Sequence, residues 1–229
     1  MKKRRMILLV VSVVTILILA GVGVTYSLLS SVTPTATNTF QSDKEIKITL
    51  TEPNWQEHGK EQASAYVPGQ VIDKDPTVTL SDNSVSSYVA LKVQYYDEEN
   101  ELSFGEFRRL YLDRGANDDQ MGIDFSNSWV YIGTEETDKE NDTGEYGKSV
   151  VYMYKNILTQ DDASTTVLEN VTEPLFTNVH LSADLTQDEN THLLPNFNIK
   201  VTAYAVQAYG ISMEEAKTAL NELVTANEL

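Results

Sequence analysis

Residues 89–95 read VALKVQY, a stretch in which large apolar side chains occupy every second position. The large side chains, from Val89 to Tyr95, would share one face of an extended chain, because successive side chains of a strand point to opposite sides. A polar turn at residues 97–100 follows. This alternation predicts a strand with one face in the core.

Similar alternation recurs on both sides of this strand. In residues 45–51, Ile46, Ile48 and Leu50 alternate with polar side chains until Pro53 ends the run. Further strands are predicted at residues 74–80, 129–132, 150–154, 167–171, 175–181 and 197–208. Residues 129–132 and 150–154 are predicted to form a hairpin with a long acidic loop. Residues 104–112 fit a short helix and a strand equally well.

The hydrophobic period changes after Gly210. Ser212 and Glu215 have the spacing of a capping box, and the apolar residues that follow lie along one side of a helix over residues 212–226. Many short strands with one terminal helix predict an all-β chain folded as an antiparallel β-sandwich with long loops.

Composition excludes several functional classes. The chain has 34 acidic and 17 basic residues and a formal net charge of −17, so its surface should repel nucleic acid and anionic lipid. It has no cysteine, which excludes disulfides, thiol catalysis, cysteine-bound metal and a lipid-modified cysteine anchor.

The amino end has the pattern of an export signal. Lys2, Lys3, Arg4 and Arg5 precede an uncharged run over residues 6–24. A basic head orients such a run with the head in the cytoplasm, so the rest of the chain would be delivered outside. Its length fits both a cleaved signal peptide and a signal anchor, over residues 1–27. The chain is therefore expected to be secreted or at the cell surface, and membrane-anchored if the signal is not cleaved.

Residues 28–43 are rich in Ser, Thr and Pro and are predicted to form an extended arm. Val32, Ala36 and Phe40 are evenly spaced along it. The β-sandwich domain is expected over residues 44–229, so contact with the membrane would run only through the amino-terminal segment.

An ordered set of segments carries a resemblance to a known family. These segments are residues 23–26 (GVTY), 38–40 (NTF), 48–53 (ITLTEP), 67–69 (VPG), 74–78 (KDPTV), 87–93 (SYVALKV), 152–158 (YMYKNIL), 197–199 (FNI) and 205–208 (AVQA). In this order they resemble the TasA and camelysin family of exported Gram-positive proteins, which a dedicated signal peptidase processes.

The resemblance implies a jelly-roll-like sandwich and a structural subunit of extracellular-matrix or biofilm fibres. Such subunits assemble by donor-strand exchange, in which one copy lends an amino-terminal strand to its neighbour. The arm with Val32, Ala36 and Phe40 would be that strand. The implied partners are the chain itself as a homopolymer, the signal peptidase and a minor matrix accessory protein. Two departures are the absence of an Ala-x-Ala cleavage site at Tyr26-Ser27 and the presence of Pro34 in the arm.

Two other functions remain open, a camelysin-like surface metallopeptidase and a monomeric membrane-anchored accessory protein. The chain has three histidines, His58, His180 and His192, and none belongs to a His-Glu-x-x-His motif. No catalytic, cofactor or metal residue is assigned, and the chain is expected not to be an enzyme.

Two clusters of residues suggest binding but are better explained by structure. The acidic loop has oxygen ligands for calcium, but EF-hand numbering from Asp138 puts Thr143 at the glycine position and Ser149 at the glutamate position. The aromatic residues are spaced for cross-strand packing within the sandwich, rather than for a carbohydrate platform. They are Tyr95, Tyr96, Trp129, Tyr131, Tyr152 and Tyr154.

Overall fold

The computed structural model describes residues 45–113, 122–133, 149–160 and 169–227. Several predicted features lie outside these ranges: the export signal with Lys2, Lys3, Arg4 and Arg5, the arm with Val32, Ala36 and Phe40, and the acidic loop at 134–147.

Strands dominate the described chain. They are β1 (Ile48–Thr51), β2 (Val71–Asp73), β3 (Thr77–Leu80), β4 (Ser87–Asp97), β5 (Asn100–Leu102), β6 (Trp129–Tyr131), β7 (Ser149–Tyr154), β8 (Asn178–His180) and β9 (Phe197–Gln207). A π-helical turn (Trp55–Gly59) leads into α1 (Lys60–Ser64), and the other helices are α2 (Phe104–Tyr111) and α3 (Met213–Ala226).

The largest sheet is built around β4. β9 pairs antiparallel with all eleven residues of β4, from Ser87 opposite Gln207 to Asp97 opposite Phe197. β7 and β5 pair with successive parts of the other edge of β4, and β6 pairs with β7. The five strands therefore form one antiparallel sheet with β4 inside it.

One face of this sheet carries the main core. Val89, Leu91, Val93 and Tyr95 of β4 are fully buried there. Two smaller antiparallel sheets, β1 with β3 and β2 with β8, contribute residues to the same core. α2 packs beside them.

α2 begins at a capping box formed by Ser103 and Glu106. It places the rings of Phe104 and Phe107 5.0 and 4.9 Å from the ring of Tyr95. The sequence of residues 104–112 fits a helix and a strand equally well. In the structure they are helical up to Tyr111, because the cap and the burial of both rings favour a helix.

The opposite face of the sheet is covered by α3. The capping box predicted from Ser212 and Glu215 is present at its start. Ala216 and Leu220 are fully buried against residues of β4, β7 and β9 in a second apolar cluster. The large sheet is thus apolar on both sides, which explains why β4 has so few exposed positions.

The described chain is all-β in class, with antiparallel sheets, as the sequence predicts. The predicted hairpin is present, since Trp129 of β6 pairs with Tyr154 of β7. The strand expected at 175–181 is shorter, Asn178–His180. For the strand expected at 167–171, the described part shows an isolated bridge between Val171 and Thr79.

Candidate functional site

β9 has one paired edge and one open edge among the described residues, where it pairs with β4 alone. Its side chains Phe197, Ile199, Val201 and Ala203 pack against the main core but remain half-buried. An unpaired strand edge presents alternating N–H and C=O groups that can bind another strand. β9 therefore has both backbone groups and apolar side chains suited to a further strand.

β1 lies alongside β9. Their Cα atoms approach within 8 Å, yet within the described ranges β1 pairs only with β3. Ile48 and Leu50 of β1 are half-buried and point toward the same core as Ile199 and Val201. The two strands are thus close neighbours without a backbone ladder between them.

A groove of about 670 Å³ opens where β1 ends beside the first half of β9. We call it the β1–β9 groove. Its lining residues are Leu50, Thr51, Glu52, Pro53, Trp55, Gln56, Lys74, Ile199 and Val201. Apolar side chains form the β9 side, and the turn after β1 forms the other.

The polar margin of the groove is an ion pair. Lys74 Nζ donates to Glu52 Oε1 at 2.7 Å and to Oε2 at 2.9 Å, and it lies 4.9 Å above the ring of Trp55. The side chains of Lys74 and Glu52 are only 9% and 16% exposed. Such a pair holds its partners firmly because either charge alone would be costly in this setting.

Asp75 fixes the chain that follows β1. Its buried carboxylate accepts the backbone N–H groups of Asn54, at 2.9 Å, and Trp55, at 3.2 Å. These are orphan donors at the start of the helical turn, which a carboxylate is well suited to bind. The Glu52-Pro53 and Lys74-Asp75-Pro76 segments of the sequence are therefore bound to one another.

The helical turn and α1 are also fixed to β2. Gln62 exchanges two hydrogen bonds with Asp73, at 2.8 and 3.0 Å. A Cβ atom at Gly59 would lie 2.0 Å from the carbonyl oxygen of Asp73 and 2.7 Å from the Trp55 ring. Glycine is thus required for this close approach, which sets the position of Trp55.

A second, smaller cavity of about 160 Å³ adjoins the groove. We call it the Trp55–Phe197 pocket. Trp55, Lys74 and Ile199 line both spaces, so the two adjoin each other. The remaining lining residues are Ala63, Tyr66, Ile72, Val179, Leu181, Asn196, Phe197 and Asn198.

Aromatic contacts support the wall of the pocket. Phe197 stacks on Tyr111 with ring centroids 4.7 Å apart, and it lies 5.6 Å from Tyr66. Burial and a hydrogen bond with Asp97 raise the pKa of Tyr111, so its phenol stays protonated. Burial also raises the pKa of Tyr66, whose hydroxyl donates to the Pro195 carbonyl.

Asp124 joins the segment before β6 to the start of β8. It accepts the N–H groups of Thr177 and Asn178 at 2.8 and 2.6 Å. Partial burial alone would raise the pKa of Asp124, but the hydrogen bonds from Thr177 and Asn178 outweigh it, and the pKa lies below its ordinary value. Asp124 thus stabilises the strand that carries Val179 into the pocket.

The other residues singled out in the sequence do not meet in one site. His58 and His192 are exposed and His180 is at the end of β8. Across the described ranges, no group of three or more His, Cys, Asp or Glu residues is arranged to hold a metal ion. The aromatic residues pack within the sheet, as Trp129 does against Tyr154 at 5.1 Å.

No protein-family model, curated protein or solved structure matches the chain. No helix within the described ranges has the length and apolar character needed to cross a bilayer. The sequence pattern predicts the residues of the groove as turns and strands, but it does not predict that they form one site. The Glu-Pro and Lys-Asp-Pro turns are the signal that the sequence offers.

Proposed function

We propose that this protein is an exported structural subunit of a surface or matrix assembly, and that it polymerises by donor-strand exchange. In this proposal the arm at residues 28–43 of one copy binds the β1–β9 groove of the next. The observation that carries it is β9, an eleven-residue strand that, among the described residues, is paired on one edge and whose apolar side chains from Phe197 to Ala203 are half-buried.

The groove has the two properties that strand addition needs. Backbone N–H and C=O groups on the open edge of β9 would supply affinity, and alternate side chains facing the core would supply register. Ile199 and Val201 line the groove together with Leu50 of β1. An added strand with apolar residues at alternate positions would therefore cover these side chains.

The family resemblance supports the same proposal. The resemblance to TasA implies a jelly-roll-like sandwich. In a fibre, the strand received from a neighbouring copy would complete this sandwich. The proposal places the subunit in the extracellular matrix or at the cell surface. The high negative charge would slow association at low ionic strength, because copies that repel each other meet less often.

The test is electron microscopy and light scattering of residues 28–229 at rising concentration, at neutral and mildly acidic pH. We expect regular fibres, and we expect faster growth in salt because screening weakens repulsion between subunits. Residues 44–229 should remain monomeric and should bind an added peptide of residues 28–43. Fibres formed by residues 44–229 alone would refute the exchange mechanism.

A substitution in β9 tests the acceptor strand in a chain whose arm is intact. Val201→Lys places a charge on the core side of the open edge, a device that blocks strand addition. Tyr209→Lys, at a position that is 88% exposed, introduces the same charge away from the groove. We expect only Val201→Lys to abolish polymerisation while the monomer remains folded.

A further inference from the structure

The Trp55–Phe197 pocket has the size and lining of a site for one aromatic ring. Its volume is about 160 Å³, similar to the about 150 Å³ of an apolar cavity that binds benzene, although Lys74, Asn196 and Asn198 add polar groups to its lining. Trp55, Tyr66 and Phe197 present rings, and Ile72 presents an aliphatic surface. A ring bound among them would gain energy beyond that of area burial, because aromatic rings with centroids about 4.5–7 Å apart attract one another.

The pocket is formed before any ligand enters. Phe197 is held by Tyr111 on one side, Tyr66 is held through its hydroxyl by Pro195, and Trp55 lies beneath the Lys74 ammonium. A cavity whose walls are already ordered costs little conformational entropy to fill. Side chains that enter it are thus selected by shape.

The pocket adjoins the β1–β9 groove, because Trp55, Lys74 and Ile199 line both spaces. A strand bound along β9 would therefore pass within reach of the pocket with one of its side chains. The arm at residues 28–43 has a single aromatic residue, Phe40.

We infer that the Trp55–Phe197 pocket binds the ring of Phe40 from a second copy of this chain and so sets the register of the exchanged strand. This inference rests on the proposed function and names the anchor residue and its receptor. Val32 and Ala36, which are smaller, would occupy shallower positions along the groove.

Two variants separate donor from acceptor. Phe40→Ala removes the ring but leaves the pocket intact, whereas Ala63→Phe fills the pocket but leaves the arm intact, since Ala63 is one of its lining residues. Both are made as the complete chain and purified in the form that the producing cell yields. The matched control is Ala65→Phe, the same change at an exposed position two residues away.

Each variant alone should have a critical concentration for polymerisation about 100-fold above wild type, the cost expected for losing a buried Phe side chain. Mixed in equal amounts, they should form dimers that grow no further. The arm of the Ala63→Phe chain can enter the open pocket of the Phe40→Ala chain, but the reverse exchange is blocked. Mass photometry measures the dimer, and Ala65→Phe should polymerise like wild type.

The outcomes distinguish the two proposals. Wild-type growth with equal growth of both variants would overturn the Phe40 pocket while leaving strand exchange intact. Absence of growth in wild type under every condition would overturn the proposed function, and the pocket with it. If Ala63→Phe has lost the near-ultraviolet circular dichroism of the folded chain, Ala63→Leu replaces it, with the same expected dimer.

Discussion

β4 and β9 are equally long and pair along their whole length, yet they differ in burial. Val89, Leu91 and Val93 of β4 have no exposed surface, whereas Ile199 and Val201 of β9 are half-buried. The amino acids are of the same kind, so composition does not explain the difference. β4 has strand neighbours on both edges and β9 has one among the described residues. Burial in this sheet thus depends on the position of a strand more than on its residues.

Truncation within β4 should have the largest effect. Leu91→Ala removes a fully buried side chain, and we expect it to lower the free energy of unfolding by about 4 kcal/mol. Urea unfolding followed by circular dichroism measures this loss. A cost below that of the equivalent change in β9 would contradict the comparison.

The Lys74–Glu52 ion pair at the margin of the groove should contribute to stability through charge, whereas β4 contributes through apolar burial. Lys74→Ala leaves Glu52 without its partner, and we expect a loss of about 3 kcal/mol. The double variant Lys74→Met, Glu52→Leu replaces the pair with apolar side chains and should lie within about 1 kcal/mol of wild type. Urea unfolding of the three proteins tests this. Equal losses in the single and double variants would show that packing, not the ion pair, holds this margin.

Truncation in β9 should cost the monomer little. Val201→Ala removes half-buried methyl groups, and we expect a loss of about 1 kcal/mol in the monomer. The same variant should polymerise more slowly than wild type, because the removed groups would be fully buried beneath an added strand. Unfolding of the arm-deleted chain and fibre growth of the complete mature chain measure the two effects separately. A large loss in the monomer would mean that β9 is already covered.

The smallest effect should appear in acid. The pKa of Asp124 is lowered in the folded chain, so its contribution is present above the unfolded pKa, near 4, and is lost as pH falls through the lower folded pKa. Asp124→Asn should therefore cost about 1 kcal/mol at pH 7, discounted for exposure, and much less at pH 2. Urea unfolding at both pH values measures it, with Asp184→Asn, an exposed residue after β8, as the control. Equal losses at the two pH values would refute this assignment.

The sequence predicts the strands better than it predicts the groove. Alternation at 89–95 and the capping box at Ser212 and Glu215 depend on near neighbours, so both are visible without tertiary information. The sequence does not predict the helical segment from Trp55 to Ser64, because the segment is polar and contains Gly59. Asp75, twenty residues away, supplies the carboxylate that stabilises its start. Tertiary contacts of this kind override local propensity.

The same reason explains why the candidate site was only partly predictable. The arm was expected to bind a sheet edge, but no local pattern identifies which strand has an open edge. Alternation predicts that Phe197 lies on a strand face, yet its place in the pocket depends on Tyr66 and Tyr111, which come from two distant segments. The pairing of the two proline turns through Lys74 and Glu52 likewise appears only in three dimensions.

α3 restricts how subunits can pack in a polymer. It covers the outer face of β4 and β9 with Ala216 and Leu220, so that face cannot stack on the sheet of another copy as the sheets of amyloid do. Subunits joined through β9 would remain separate folded units in a row, each with α3 still packed on its own sheet. Fibre diffraction would then lack the continuous sheet-stacking reflection near 10 Å, and mild denaturant would release intact globules instead of leaving an insoluble residue.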